Sequence, residues 1–307
     1  MAAGSLLITA CGADGDVISI SATPTPSTAQ PATSSASSDS DPTTTTAPPT
    51  TVPPSTAPPT SPPTTVPPII EPELFASVDI AEVADLGGTK PPRDYDDFVG
   101  VAFADIERWW GEQYPVVYGE DFVPLRGGVY VGYPEREEPI PGCGQDETAY
   151  AELQLFVAFY CIDGDFMAYD DGDGVGELGT SILAPLADQY GAAVLGVVLA
   201  HEYGHAIQAR IGALDRFLAT IITEQQADCF AGAWTGQAFR GESPLLQLGD
   251  RDVSAGLLAM LSVRDPVGTN QFEPGGHGSA FDRVGAFQEG FLNGAAGCAA
   301  LLDDPLP

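Results

Sequence analysis

An α+β fold is predicted for residues 69–307 of this 307-residue chain. Three observations predict it: strand-like segments gather before about residue 170, helical periodicity dominates afterwards, and 44% apolar content supplies a core. Asp94 to Gln113 carries Phe98, Val101, Ala102, Ile106, Trp109 and Trp110 at helical spacing, an amphipathic helix with a Trp-rich buried face. Gly127 to Tyr133 (GGVYVGY) reads as a short strand. Leu155–Cys161 and Asp165–Tyr169 flank the turn signal Ile162-Asp163-Gly164 and read as a hairpin. Leu183 to Ile211 reads as one long helix closed by Gly212, and Ala219 to Arg240 as another ending at Gly241. The pattern is helical again from about Asp282 to Phe291.

The residues before 69 follow different rules. Ser21 to Pro68 is a Thr/Pro/Ser tract with 14 of the chain's 28 prolines and the string TTVPP twice, at Thr50–Pro54 and Thr64–Pro68. It has no aromatic residue and little to bury, so residues 21–68 are expected to form a disordered, extended stalk. Residues 1–20 read as a leader and anchor. Ile8-Thr9-Ala10-Cys11 resembles a bacterial lipobox, with Cys11 as the lipidated residue and the only expected link to a membrane. An anchor, a stalk and a globular domain make an extracytoplasmic, surface-displayed layout. Four further cysteines, Cys143, Cys161, Cys229 and Cys298, suit two disulfides in an oxidising compartment, and three pairings are open.

With 11 Lys+Arg against 43 Asp+Glu the formal charge is −32, and residues 69–307 hold all the bases and 39 of the acids. Such a surface repels nucleic acid, so no nucleic-acid partner is expected. No apolar run reaches the roughly 18–20 residues of a membrane-spanning helix. The acidic stretch Asp163–Glu177 fits no register of the calcium-loop pattern, since starting at Asp171 puts Val175 at the fifth position. It reads as a solvated turn.

The chemistry lies in the histidines. Two of the three sit in His201-Glu202-Tyr203-Gly204-His205. Residues i and i+4 share a helix face, so both imidazoles can hold one Zn²⁺. Glu202 is one step round, placed to take a proton from a zinc-activated water and deliver it to a leaving amine. A third ligand is required. The HExxHxxGxxH pattern would need Gly at 208 and His at 211, where this chain has Gln208 and Ile211. The next helix offers Glu224 and Asp228, again i and i+4. Glu224 is assigned to the metal and Asp228 behind a ligand histidine, His201 in the first instance; the reverse assignment swaps the two acids. His277 and Arg283 are candidates for the donor that stabilises a carbonyl oxyanion. Arg283 has a second reading as the charge partner of Asp228 or Glu224.

The strings HEYGHAIQ at His201–Gln208, EQQADCFAGAW at Glu224–Trp234 and HGSAFDRVGAFQEGF at His277–Phe291 resemble the bacterial neutral zinc metallopeptidases, as do Cys143-Gly144 and FYCIDGDFMAYD at Phe159–Asp170. The likeness runs from about Phe98 to about Gly294. It implies a zincin-like fold, with a small antiparallel sheet on the active-site helix and a helical C-terminal lobe. It implies one Zn²⁺ on His201, His205 and Glu224, Glu202 as base, and a peptide or protein substrate. It also implies the disulfides Cys143–Cys161 and Cys229–Cys298. The Thr/Pro stalk is not part of that family's pattern. Independently of the family, the Phe156–Tyr160 strand is expected to offer an edge to which an extended peptide adds. Two other functions fit the same residues, a non-catalytic zinc-bearing binding module and a zinc amidase acting on cell-wall material.

Overall fold

The computed structural model describes residues 17–20, 71–173, 181–216, 218–273, 275–303 and 305. Cys11, the tract 21–68 and the 174–177 part of the acidic stretch lie outside them. Chain order begins with the strands β1 (Val17–Ile20) and β2 (Glu73–Leu74), the short helix α1 (Ile80–Val83) and the long helix α2 (Asp96–Tyr118). Then come β3 (Gly128–Gly132), the small hairpin β4 (Ile140–Pro141) and β5 (Glu147–Thr148), helix α3 (Tyr150–Phe156), and the strands β6 (Ala158–Cys161) and β7 (Phe166–Asp170). Helices α4 (Leu183–Tyr190), α5 (Ala193–Arg210) and α6 (Thr220–Phe239) follow. The two-residue strand β8 (Leu246–Gln247) pairs back to β2, and α7 (Asp250–Ser262) and α8 (Ala280–Ala299) complete the chain. The fold is α+β, and among the described residues no helix is long and apolar enough to cross a membrane.

Four expectations change. The main sheet, in the order β1-β6-β7-β3, is mixed and not antiparallel, because β3 runs parallel to β7 in the register Gly128↔Phe166 to Gly132↔Asp170. A parallel pair needs a crossover, and residues 133–165, with α3 and β6, supply it. Leu155 and Phe156 belong to α3, and the strand starts only after Val157, which turns the chain at φ 66°. The expected single helix 183–211 is two, because Gly191 at φ 104° breaks it in a conformation that L side chains rarely adopt. Finally, the free outer edge of β6 is taken by the chain itself: Val17 to Ile20 pair antiparallel with Cys161 to Ala158. Helix α7 was not anticipated; its first turn is closed by Asp252, whose carboxylate accepts the Gly249 N–H at 2.7 Å.

Of the acids described in the acidic stretch, Asp163 and Asp173 are exposed, as a solvated turn requires, but the other three are not. Asp165, Asp170 and Asp171 are all buried. Asp165 accepts from Arg126 Nε at 2.9 Å and Tyr160 Oη at 2.9 Å and lies 3.1 Å from Arg210 Nη1. Burial alone would raise its pKa, but Arg126 and Arg210 outweigh burial and hold it below the usual carboxylate range. Since Arg210 is the last residue of α5, this cluster fastens the end of that helix to the β6–β7 turn. Asp171 accepts from Tyr95 Oη at 2.6 Å and pairs with Lys90 Nζ at 2.8 Å, which ties the end of β7 to the start of α2.

Helices α5 and α6 form the centre. From Ala193 to Gln208 and from Glu224 to Ala238 every residue is buried, so neither helix has a solvent face or an amphipathic stripe. The sheet and α2 cover α5, while α8 lies along α6. The last pair meets backbone to backbone. A Cβ added at Gly232 would lie 2.0 Å from Phe287 O, and one at Gly290 would lie 1.8 Å from Cys229 O. Both expected disulfides are present, Cys143–Cys161 and Cys229–Cys298. The second joins the middle of α6 to the end of α8. Gly290→Ala should therefore force the helices apart and destabilise the protein by about 3 kcal/mol, read as a Tm lower by about 10 °C. A Tm within about 2 °C of wild type would show that the pair slides without cost.

Candidate metal centre

The site is built by the two buried helices. His201, Glu202 and His205 are spaced along α5, and all three are fully buried. Glu224, one turn into α6, faces them and is 2% exposed. Its Oε2 lies 3.4 Å from His201 Nε2 and its Oε1 lies 3.3 Å from His205 Nε2. One ligand atom from each of His201, His205 and Glu224 can be chosen so that all lie within 4.8 Å of one another, the only such group of three among the described residues. The two imidazole planes are nearly perpendicular, at 89°, with ring centroids 4.8 Å apart.

Burial makes this arrangement informative. Buried polar atoms in folded proteins are nearly always hydrogen-bonded. Here His201 Nε2, His205 Nε2, Glu224 Oε2 and both carboxylate oxygens of Glu202 are buried without a hydrogen-bond partner. Two nitrogen donors and one carboxylate converging on one point, each lacking a partner, fit a small cation with N/O preference such as zinc. His201, His205 and Glu224 are the residues that would hold it.

Behind His201 stands a charged relay. Arg283 donates through Nε to Asp228 Oδ2 at 2.9 Å and through Nη2 to Asp228 Oδ1 at 2.7 Å. Asp228 Oδ1 in turn lies 2.7 Å from His201 Nδ1. A carboxylate only accepts, so Nδ1 carries a proton, and Nε2, on the side of Glu224, is the nitrogen left for a cation. Burial would raise the Asp228 pKa, but Arg283 and then His201 outweigh it and keep the carboxylate ionised. Burial would likewise depress the His201 imidazole; Asp228 and Glu224 raise it to about 10 when only protein groups surround it. Glu224 is held well below the carboxylate range by His205 and His201 despite its burial. Glu202 goes the other way, pushed up to about 7 by burial, with His201 and His205 only partly offsetting it. A divalent cation beside it would favour the ionised form.

Asp228 sits behind His201 and Glu224 faces both rings. Arg283, fully buried, commits Nε and Nη2 to Asp228, its second reading, while its Nη1 is buried without a hydrogen-bond partner. His277 is 2% exposed in the loop before α8, with its backbone N–H donating to Asp265 Oδ2 at 2.7 Å. Its ring contributes to holding Glu224 ionised. Sequence reasoning passed over Gln208, whose side chain reaches His205 Nδ1 at 2.9 Å and Thr223 O at 2.6 Å. The available signal was position: three residues after a candidate ligand on the same helix is the next turn of the same face.

Among known proteins, no family model matches this chain and no solved structure matches it. The uncharacterized protein Rv2575 of Mycobacterium tuberculosis is 34% identical over 159 residues, 44% of this chain and 52% of its own length, and an uncharacterized protein of Mycobacterium bovis matches equally. The uncharacterized protein YpfJ of Escherichia coli is 24% identical over 223 residues, 64% of this chain and 68% of its own length. The chain thus spans about half the length of the mycobacterial relatives to which it is similar.

Proposed function

We propose that this chain is a zinc-dependent metallopeptidase of zincin-like architecture, displayed outside the cytoplasm. One observation carries the reading: His201, His205 and Glu224 present unpartnered atoms to a common point, and a fourth buried residue, the acid Glu202, stands beside them with both oxygens unpaired. A structural zinc site is closed by four protein ligands, whereas three protein ligands with a base alongside are the makings of a hydrolase. That favours catalysis over a non-catalytic module.

Bound zinc supplies Lewis acidity, acidifying water and polarising a carbonyl. The rest falls to the chain. Glu202 Oε accepts the proton of the attacking water and returns it to the departing amine nitrogen, so it starts and ends as a carboxylate. Asp228 and Arg283 hold His201 in the tautomer that leaves Nε2 open. His277, buried in the loop before α8, and the unpartnered Nη1 of Arg283 are the two candidates to donate a hydrogen bond to the developing oxyanion. The two buried disulfides fit an oxidising compartment.

The test is metal content and hydrolysis on the full chain made in an oxidising compartment. About one zinc per chain, with cleavage of unstructured peptides that a chelator stops and added zinc restores, is the expected result. Zinc without peptide cleavage, but with release of amines from wall fragments, would move the substrate to a non-protein amide. A protein that binds no zinc would remove the reading altogether.

A further inference from the structure

Gln208 stands between the two helices that carry the metal ligands. Its Nε2 donates to the backbone carbonyl of Thr223 at 2.6 Å, and its Oε1 lies 2.9 Å from His205 Nδ1. Thr223 immediately precedes Glu224 on α6. Gln208 itself is fully buried on α5, one turn past His205.

The chemistry of these atoms permits one assignment. A backbone carbonyl only accepts, so the Gln208 amide must turn its NH₂ group to Thr223 O. Rotating the amide would set two acceptor oxygens 2.6 Å apart. With NH₂ committed, Oε1 faces the imidazole, and an oxygen there requires the proton on His205 Nδ1. Nε2 is then the nitrogen left for a cation, facing Glu224 Oε1 at 3.3 Å. The direction of one hydrogen bond to the backbone of α6 thereby determines which nitrogen of a ring on α5 is free to bind a cation.

We propose that Gln208 is a positioning residue of the metal centre: it fixes the His205 tautomer and orientation and ties them to the stretch of α6 that presents Glu224. The proposal rests on the zinc reading above for its purpose, not for its geometry. The two histidines are then held by different means. His201 leans on a charged relay, Arg283–Asp228, and His205 on a neutral one, the Thr223 carbonyl and the Gln208 amide. Partners of this kind behind a metal-binding imidazole are worth about 10–100-fold in metal affinity.

The experiment has two readouts besides activity. Ring ¹H–¹⁵N correlations of the metal-free wild type at mildly alkaline pH should show His205 as the Nδ1–H tautomer. The Nε2–H tautomer there would overturn the proposal, and this measurement needs neither a variant nor bound zinc. Chelator competition should then show Gln208→Leu, close in size but without donor or acceptor, binding zinc about 10–100-fold more weakly than wild type. Zinc affinity unchanged in a folded Gln208→Leu would overturn the proposal. A wild type that binds no zinc but shows the Nδ1–H tautomer would instead sink the function reading and leave the assignment of Gln208 standing.

Discussion

Glu202→Gln is expected to bind zinc as tightly as the wild type and to lose peptide hydrolysis by about 10²–10⁴-fold in kcat/KM. The substitution preserves size and both polar atoms, and Glu202 is fully buried. It removes the one property that the proposed reaction needs from this residue, a carboxylate that takes up and gives back a proton. None of its protein neighbours is hydrogen-bonded to its oxygens, so the loss disturbs no existing contact. The check is a zinc-to-protein ratio measured on the same sample as the kinetics. Activity within tenfold of wild type with the metal retained would place the base elsewhere.

Asp228→Ala should be the most damaging single change to stability. It strips Arg283, fully buried, of the carboxylate that takes two of its hydrogen bonds. Leaving a buried charge without its partner costs about 3–5 kcal/mol, a fall of about 10 °C or more in Tm for a domain of this size. It also removes the acceptor beside His201 Nδ1, so zinc affinity should drop by about 10–100-fold. The two effects are separable. The double variant Asp228→Leu with Arg283→Met removes both charges, and well-packed apolar replacements of a buried pair are often neutral or better. Its Tm should therefore recover while its zinc affinity stays low. Recovery of both would mean that Asp228 serves packing alone.

Much of this centre was legible because it obeys helix arithmetic. His201 and His205 are four apart, as are Glu224 and Asp228, and each pair lands on one face of one helix. Spacing and charge type put Glu224 and Asp228 on one face and left open which of them meets the rings; the family resemblance favoured Glu224. What escaped depended on partners far along the chain. Asp165 and Asp171 looked solvated because Arg126, Lys90 and Tyr95, which receive them, lie about 40 to 80 residues away. The parallel pairing of β3 with β7 has no local signature either, since it follows from the path of the intervening crossover. The helix break at Gly191 was hidden because the sequence on each side, amphipathic in α4 and apolar in α5, suits a helix, and a single glycine does not by itself end one. Gln208 was read only as a departure from another ligand pattern, although its position already placed it beside His205.

The backbone contact between α6 and α8 has a consequence for the order of events. Small zinc modules fold only when the metal arrives, because their ligands are brought together by the ion itself. Here Glu224 and Asp228 ride on a helix clamped by Gly232, Gly290 and the Cys229–Cys298 bond, none of which involves an ion. On the proposed zinc reading, folding and metal loading are thus separate equilibria in this chain. The ordering entropy is met in advance by the apolar core, and nearly the whole intrinsic binding energy of the ligand set is left to appear as affinity. On the same zinc reading, loss of the ion would then silence the protein without unfolding it.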